Sequence, residues 1–273
     1  MKQKTNSHIV KIVMSLWIAI RYVAILFGLI AIGWFVYEFF IRDLIYGSRI
    51  EQILAFFLAW LTLAYILIPR IHRILTKLYL PDYFIGRSRT VDGILSDPIN
   101  LAFIGSENEL KAAMQVAGWY QADKLTIKTA IKTILYLVVR KIYINQPVSG
   151  LYLFNNKQMI AFQKVVPGSP FVRHHVRFWK TPDDLLLPGY LSVDWLAAGT
   201  FDKSVGLSYF TLQITHHIEP ETDKERDFIV NDLKKHGHVK NVKIVKNYFS
   251  SYRHRNGGGD AISTDGSLPI VKL

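Results

Sequence analysis

The sequence predicts an α+β protein, a domain with a mixed or antiparallel sheet and flanking helices, preceded by a two-helix transmembrane hairpin. Three observations predict it. Two long apolar runs lie near the N-terminus. Segments with helical periodicity then give way to several consecutive segments of period two. A final helix and strand close the chain. Helices, then consecutive strands, then a helix and a strand is an α+β order rather than an alternating α/β one.

The first apolar run, Tyr22 to Ile41, is twenty residues long and has one charge, Glu38. The second, Ile53 to Ile68, has none, and Gln52 and Pro69 extend it to residues 52–69. About twenty mostly apolar residues carry an α-helix across a bilayer core. A signal peptide would need a shorter apolar stretch and a small-residue cleavage site. Arg42-Asp43-Leu44 follows the first run instead. Lys2, Lys4, Lys11 and Arg21 precede the spans, and Arg70, Arg73, Lys77, Arg87 and Arg89 follow them. Only Arg42 and Arg49 lie between. The positive-inside rule therefore expects both termini in the cytoplasm. After Pro69, Ile71, Ile74, Leu75 and Leu78 recur at helical spacing among basic residues, which reads as an interfacial helix ended by Pro81. Residues 1–80 are thus the expected anchor.

The net charge is +12. Residues 1–91 hold 11 Lys and Arg against 4 Asp and Glu, whereas residues 92–273 hold 22 against 17. The basic excess lies beside the expected membrane. The partners it implies are the lipid bilayer and its anionic headgroups, or another membrane protein, and not nucleic acid. There is no cysteine, which excludes disulfides and thiol catalysis.

The α+β domain is expected over residues 81–252. Ile99 to Ile104 reads as a short strand. Ser106 and Glu109 have capping-box spacing, so a helix starts there and stops at Gly118. A longer helix is expected from Leu125 to about Tyr143, with Lys124, Lys128, Lys132, Tyr136 and Arg140 along one side. That side reads as the solvated face of a core helix, or as a basic ridge resting on lipid. Leu151–Phe154 and Met159–Val165 flank Asn155-Asn156-Lys157 as a hairpin. Strands follow at 172–180, 193–202 and 206–218, with Asp202 to Gly206 as the turn between the last two. Pro220 opens a helix closed by Gly237, and residues 239–249 form another strand. Residues 253–273 read as a flexible tail in which 269–273 form a possible edge strand.

The most informative stretch is Arg173-His-His-Val-Arg-Phe-Trp179. In a strand, side chains alternate between faces. Arg173, His175 and Arg177 then share one face, with two permanent cations flanking a residue that titrates near neutrality. Gln213, Thr215 and His217 alternate in the same way on a later strand. If the strands adjoin, Arg173, Arg177 and Thr215 bind phosphate, while His175 and His217 exchange protons or act as nucleophiles. Asp202 is then either a turn residue or an acid that orients a histidine. His174 and His216 sit on mainly apolar faces and read as core histidines. No cofactor is predicted. A divalent metal held by His175, His217, Asp202 or Asp223 has no motif behind it, since HExxH is absent and none of these residues belongs to an HxH pair. Walker, GxGxxG and GxSxG motifs are absent as well.

Five stretches taken together carry a resemblance. They are Asp82-Tyr-Phe-Ile-Gly-Arg-Ser-Arg-Thr90, Asp97-Pro-Ile-Asn-Leu-Ala102, Arg173–Trp179, Thr200-Phe-Asp-Lys-Ser-Val-Gly206, and Ile214-Thr-His-His-Ile218 followed by Glu225-Arg-Asp227. Over roughly residues 80–250 the chain resembles the LssY C-terminal domain family of bacterial membrane proteins. The family has no established activity. Some members join this domain to DedA-like membrane segments and to a type 2 phosphatidic-acid phosphatase. The resemblance implies a bacterial inner membrane and the neighbourhood of phospholipid or undecaprenyl-phosphate metabolism. The expected function is action on a phosphorylated, lipid-linked ligand at the cytoplasmic surface, with phosphoester hydrolysis as the reaction. The alternative is a non-catalytic module that binds lipid headgroups or a membrane-protein partner.

Overall fold

A computed structural model of the 273-residue chain describes residues 36–79, 86–139, 141–169, 171–249 and 252–273, with scattered helical positions from 23 to 34. The chain divides into two compact units, Met1–Ile66 and Leu67–Leu273. The first unit holds a π-helical turn at Tyr37–Ile41 and helices at Arg42–Tyr46 and Arg49–Thr62. Ser48 and Glu51 form a reciprocal capping box at the start of the last of these.

Among the described residues, one helix, Arg49–Leu75, is long and apolar enough to cross a membrane. Much of the first expected span, the basic N-terminal flank and Pro81 lie outside the described residues, and so does Arg140 of the basic ridge. The helix does not break at Pro69 as the sequence reading expects. A π-helical turn, Leu63–Leu67, precedes Pro69, and helical structure resumes at Ile68–Tyr79. Proline has no N–H to give to the carbonyl four residues back, and its ring crowds that carbonyl. A locally wider π turn relieves this without ending the helix.

The second unit is a mixed α+β assembly. Its strands are β1 (Arg87–Thr90), β2 (Leu95–Pro98), β3 (Leu101–Ile104), β4 (Tyr120–Gln121), β5 (Leu151–Leu153), β6 (Asn156–Lys157) and β7 (Ile160–Val165). They continue with β8 (Arg173–Lys180), β9 (Trp195–Leu207), β10 (Ile214–Ile218), β11 (Asn241–Val245), β12 (Tyr252–Arg255), β13 (Ala261–Thr264) and β14 (Leu268–Lys272). The main sheet has the order β11-β14-β3-β9-β8-β7-β4, with β10 paired to β9. It is mixed because β14 runs parallel to β3. A smaller sheet has the order β2-β1-β5-β6, and β12 pairs with β13.

Two helices cover one face of the main sheet. Glu107–Val116 starts at the Ser106–Glu109 capping box and yields to Gly118, whose φ is +77°. Thr222–Lys235 lays Ile229 and Leu233 on Leu101, Phe103, Val176 and Phe178. Each such buried side chain stabilises the fold by about 1.5–3 kcal/mol. The opposite face packs Trp179, Leu196 and Ile270 against Leu151 and Leu153 of the smaller sheet. The alternation expected in β8 therefore holds: Val176 and Phe178 face the helices, and Trp179 faces the other way. Gly199 of β9 sits where the helix comes closest, and a Cβ there would lie 2.4 Å from Ile229 Cδ1. Asn100 ties the layers together. Its Nδ2 donates to the carbonyls of Gly199 and Thr222 at 3.0 and 3.2 Å, and its Oδ1 accepts from Gly199 N at 2.9 Å.

Several local expectations change. Residues 151–165 are not one hairpin, because β5 turns tightly onto β6 while β7 joins β8 in the main sheet. Residues 202–206 are not a turn either. β9 runs through them to Leu207, and the reversal falls at Ser208–Gln213. The helix expected from Leu125 to Tyr143 is shorter, Ile127–Val138. The segment read as a flexible tail forms the β12–β13 pair and then β14, which lies between β11 and β3 rather than at an edge. Leu268, Ile270 and Val271 are buried. The apolar content of that strand is spent on two neighbours that are far away in the sequence.

Candidate functional site

The site grows from the pairing of β8 with β9. Arg173 stands opposite Asp202, His175 opposite Thr200 and Arg177 opposite Ala198. Residues directly opposite in an antiparallel pair point to the same face. The alternation of β8 thus delivers three basic side chains to one place, and β9 adds a carboxylate. Arg173, His175 and Arg177 are 4–5% exposed and Asp202 is 1% exposed, so this is not a solvated sheet face.

Every charge there has a partner. Arg173 Nε donates to Asp202 Oδ2 at 3.1 Å, and its Nη1 donates to Gln163 Oε1 at 3.1 Å. Arg177 Nη1 donates to Asp97 Oδ2 and to His175 Nε2, both at 3.0 Å. Arg173 Nη2 lies 2.6 Å from His216 Nε2. A guanidinium can only donate, so both Nε2 atoms accept and the imidazole protons sit on Nδ1. Those Nδ1 atoms face Asp202 Oδ2, at 3.3 Å from His175 and 3.7 Å from His216. Four buried atoms in this group have no protein hydrogen-bond partner: His175 Nδ1, His216 Nδ1, Asp202 Oδ1 and Arg177 Nε. Buried polar atoms are satisfied as a rule, so four exceptions in one cluster mark a site.

The electrostatics follow from the same contacts. Burial pushes the Asp202 carboxyl up, but His175, His216 and Arg173 outweigh it and hold the group well below the usual carboxylate range. Burial pushes His216 down to about 4; Asp202 opposes this, while Arg173, His175 and Arg177 reinforce it. At neutral pH His216 is uncharged beside an ionised aspartate.

The cluster floors a cleft of about 510 Å³. Ser96, Asp97, Ser149, Ser208, Thr211 and Thr215 supply further polar lining, and Lys157 adds a cation. Val91, Ile94, Leu125, Val148, Ile214 and Ile218 form apolar walls. Thr200 Oγ1 is 2.5 Å from His175 Nε2, giving a Thr-His-Asp series. Thr200 is fully buried and does not line the cleft, which keeps its hydroxyl away from any substrate.

The structure thus brings together Arg173, His175, Arg177 and Asp202, with Thr215 at the wall. His217 does not join them. Its Nδ1 lies 2.5 Å from Asp260 Oδ1, and its ring packs over Gly206. His216 takes the expected place instead. The cause is the register. Ile218 pairs with Asp202 and His217 with Ser204, so β9 holds one extra residue at this point. The bulge decides which face of β10 meets Asp202. The apolar face on which His216 sits, with Ile214 and Ile218, is the cleft wall itself. Asp97 and Gln163 were also missed, because alternation within one strand does not say which distant carboxylate or amide will face an arginine. His174 is a core histidine as expected, stacked on Phe228 and bonded to Glu225 at 2.7 Å.

The metal candidates do not assemble. Asp223 bonds to Thr264 and Asp265 N, and His217 bonds to Asp260. Among the described residues, no group of three or more His, Asp or Glu is arranged to hold a metal ion. Arg173, bonded to Asp202, and Arg177, in the same cluster, oppose a cation there and favour an anion.

No curated protein and no solved structure matches the chain. One family model does: the LssY C-terminus matches residues 77–268, a span that contains β1 to β13 and every residue of the cleft floor. The chain belongs to the LssY C-terminal family.

Proposed function

We infer that the second unit takes a phosphorylated, lipid-linked ligand into this cleft and hydrolyses its phosphoester, in a protein anchored in the bacterial inner membrane with both termini in the cytoplasm. One observation carries the reading: buried Arg173 and an uncharged His216 flank ionised Asp202, and buried Arg177 is bonded to Asp97 beside them, at the floor of a cleft with apolar walls. Arg177 Nε and the remaining guanidinium N–H groups would hold phosphate oxygens. Once phosphate draws Arg173 Nη2 away from His216 Nε2, that nitrogen would accept a proton from the attacking water; as the P–O ester bond breaks, the imidazolium, stabilised by Asp202, would return the proton to the leaving alkoxide oxygen. The apolar walls would take the proximal part of a lipid chain.

A second reading is binding without turnover. It is favoured by the engagement of both imidazole Nε2 atoms with guanidiniums, which leaves neither free to accept a proton. The discriminating experiment measures phosphate release by the full-length chain from a panel of phospholipids and polyprenyl phosphates, beside His216→Ala. Release that needs His216 supports hydrolysis. Absence of release, with ligand binding that needs Arg173, replaces hydrolysis by binding alone.

A further inference from the structure

The Ile127–Val138 helix is amphipathic the wrong way round for a core helix. Its half-buried positions are Thr129, Ala130, Thr133 and Tyr136, which are small or polar. Its exposed positions include Ile127, Ile131, Ile134, Leu135 and Val138, with Ile127 at 83% and Val138 at 75% exposure. At 3.6 residues per turn these five fall within roughly 100° of arc, one continuous apolar stripe. Val139, Ile142 and Ile144 prolong the exposed apolar surface beyond the helix. A patch of this kind on a folded domain marks a contact surface.

The charges beside the stripe say what covers it. Lys124, Lys128, Lys132 and Lys141 are exposed around it. Lys132 Nζ lies 4.0 Å above the Tyr143 ring, which holds one cation at the edge of the stripe. The sequence has no Asp or Glu between Asp123 and Asp183. An exposed apolar stripe flanked by four lysines, against the single acid Asp123 that Tyr143 engages through its hydroxyl, matches the interface of an anionic bilayer: acyl chains take the stripe and headgroups take the cations. The helix Arg49–Leu75, long and apolar enough to cross a membrane, precedes the domain in the same chain.

We propose that the Ile127–Val138 helix lies in the plane of an anionic membrane as a second attachment, distinct from the spanning helix. The surface stands whether or not the cleft is catalytic. It also has a consequence for the cleft, because Leu125 just before the helix, and Pro147 and Val148 after it, line the cleft wall. Docking this helix places that wall at the lipid surface, where an apolar-chained ligand enters without crossing water.

The chain lacks cysteine, so one introduced thiol takes a label unambiguously. The full-length chain is reconstituted in nanodiscs containing phosphatidylglycerol, with an environment-sensitive fluorophore on Ile131→Cys or, separately, on Val138→Cys. Quenching by nitroxide-labelled lipid together with shielding from aqueous iodide is the expected result. Lys124→Glu with Lys128→Glu is expected to lower the docked-to-undocked ratio about five-fold or more per cation lost in anionic discs, and to change nothing in zwitterionic ones. Iodide quenching at both positions in anionic discs overturns the proposal. Shielding from both quenchers with energy transfer between labelled copies overturns it in favour of a second copy of the chain. Shielding from both without transfer overturns it in favour of another apolar segment of the same chain.

Discussion

His216 and Asp202 face each other across the pairing of β9 with β10, with Nδ1 3.7 Å from Oδ2, and the adjacent His217 is turned away to Asp260. The separation of roles between two consecutive histidines is therefore set by one extra residue in β9. Activity is expected to follow it. His216→Ala should abolish the phosphate release proposed above, whereas His217→Ala should keep most of it in whatever fraction folds. Equal losses at equal folded fraction would sink the assignment.

The same pair predicts a pH dependence of stability. His216 is depressed to about 4 in the folded chain from an ordinary 6.5. Between those values the unfolded chain binds a proton that the folded chain refuses. The contribution is therefore fully present above pH 6.5 and is lost as the pH falls toward 4, by about 3 kcal/mol in all. Asp202 is also depressed, so its own contribution persists through this window and is lost only at still lower pH. Urea unfolding of the detergent-solubilised chain at pH 7 and pH 4.5 should show the loss, and His216→Gln should flatten it. Identical pH slopes for the two proteins would remove the explanation.

Arg173 and Asp202 form a buried pair, with side chains 5% and 2% exposed. Removing one partner strands a charge in a poor dielectric. Asp202→Ala should cost about 3–5 kcal/mol. Arg173→Met combined with Asp202→Leu should cost much less than the two single changes added together, because no charge is left unpaired. Additive losses in a double-mutant cycle would show that the pair is not coupled.

Asn100 is 1% exposed and makes three hydrogen bonds between β9 and the start of the Thr222–Lys235 helix. Asn100→Ala removes three hydrogen bonds to buried backbone groups, and its cost should be about 2–4 kcal/mol. A shift in the urea midpoint corresponding to less than about 0.5 kcal/mol would mean that water replaces the amide fully.

Gly199 has an ordinary backbone conformation but no room for a methyl group. Gly199→Ala should cost about 1–3 kcal/mol through overpacking on Ile229. Ile229→Ala in the same chain should recover part of that loss, because it removes the atom the new Cβ meets. If the double variant is no better than the sum of the singles, the clash is not the cause.

What the sequence determined by itself is local. The period-two pattern of residues 173–179 assigned Arg173, His175 and Arg177 to one face, and the structure keeps them there. Ser106 and Glu109 announced a helix start through their spacing, since a capping box needs only four residues. The α+β order and the apolarity of Arg49–Leu75 were also legible, because each depends on composition over one continuous segment.

Tertiary structure decided whatever depends on two segments at once. The parity between β8 and β10 turns on a bulge in β9, and a shift of one residue exchanges His217 for His216. Residues 269–273 read as an edge strand at most until β3 and β11 supply hydrogen-bond partners on both sides. Asp97 meets Arg177 across 80 residues of chain, a distance over which no spacing rule operates. The apolar stripe of Ile127–Val138 reads in sequence like a core-facing side. Only the packed domain, which turns Thr129, Thr133 and Tyr136 inward, leaves it facing out. Periodicity reports that a face is apolar, and the tertiary contacts determine what it meets.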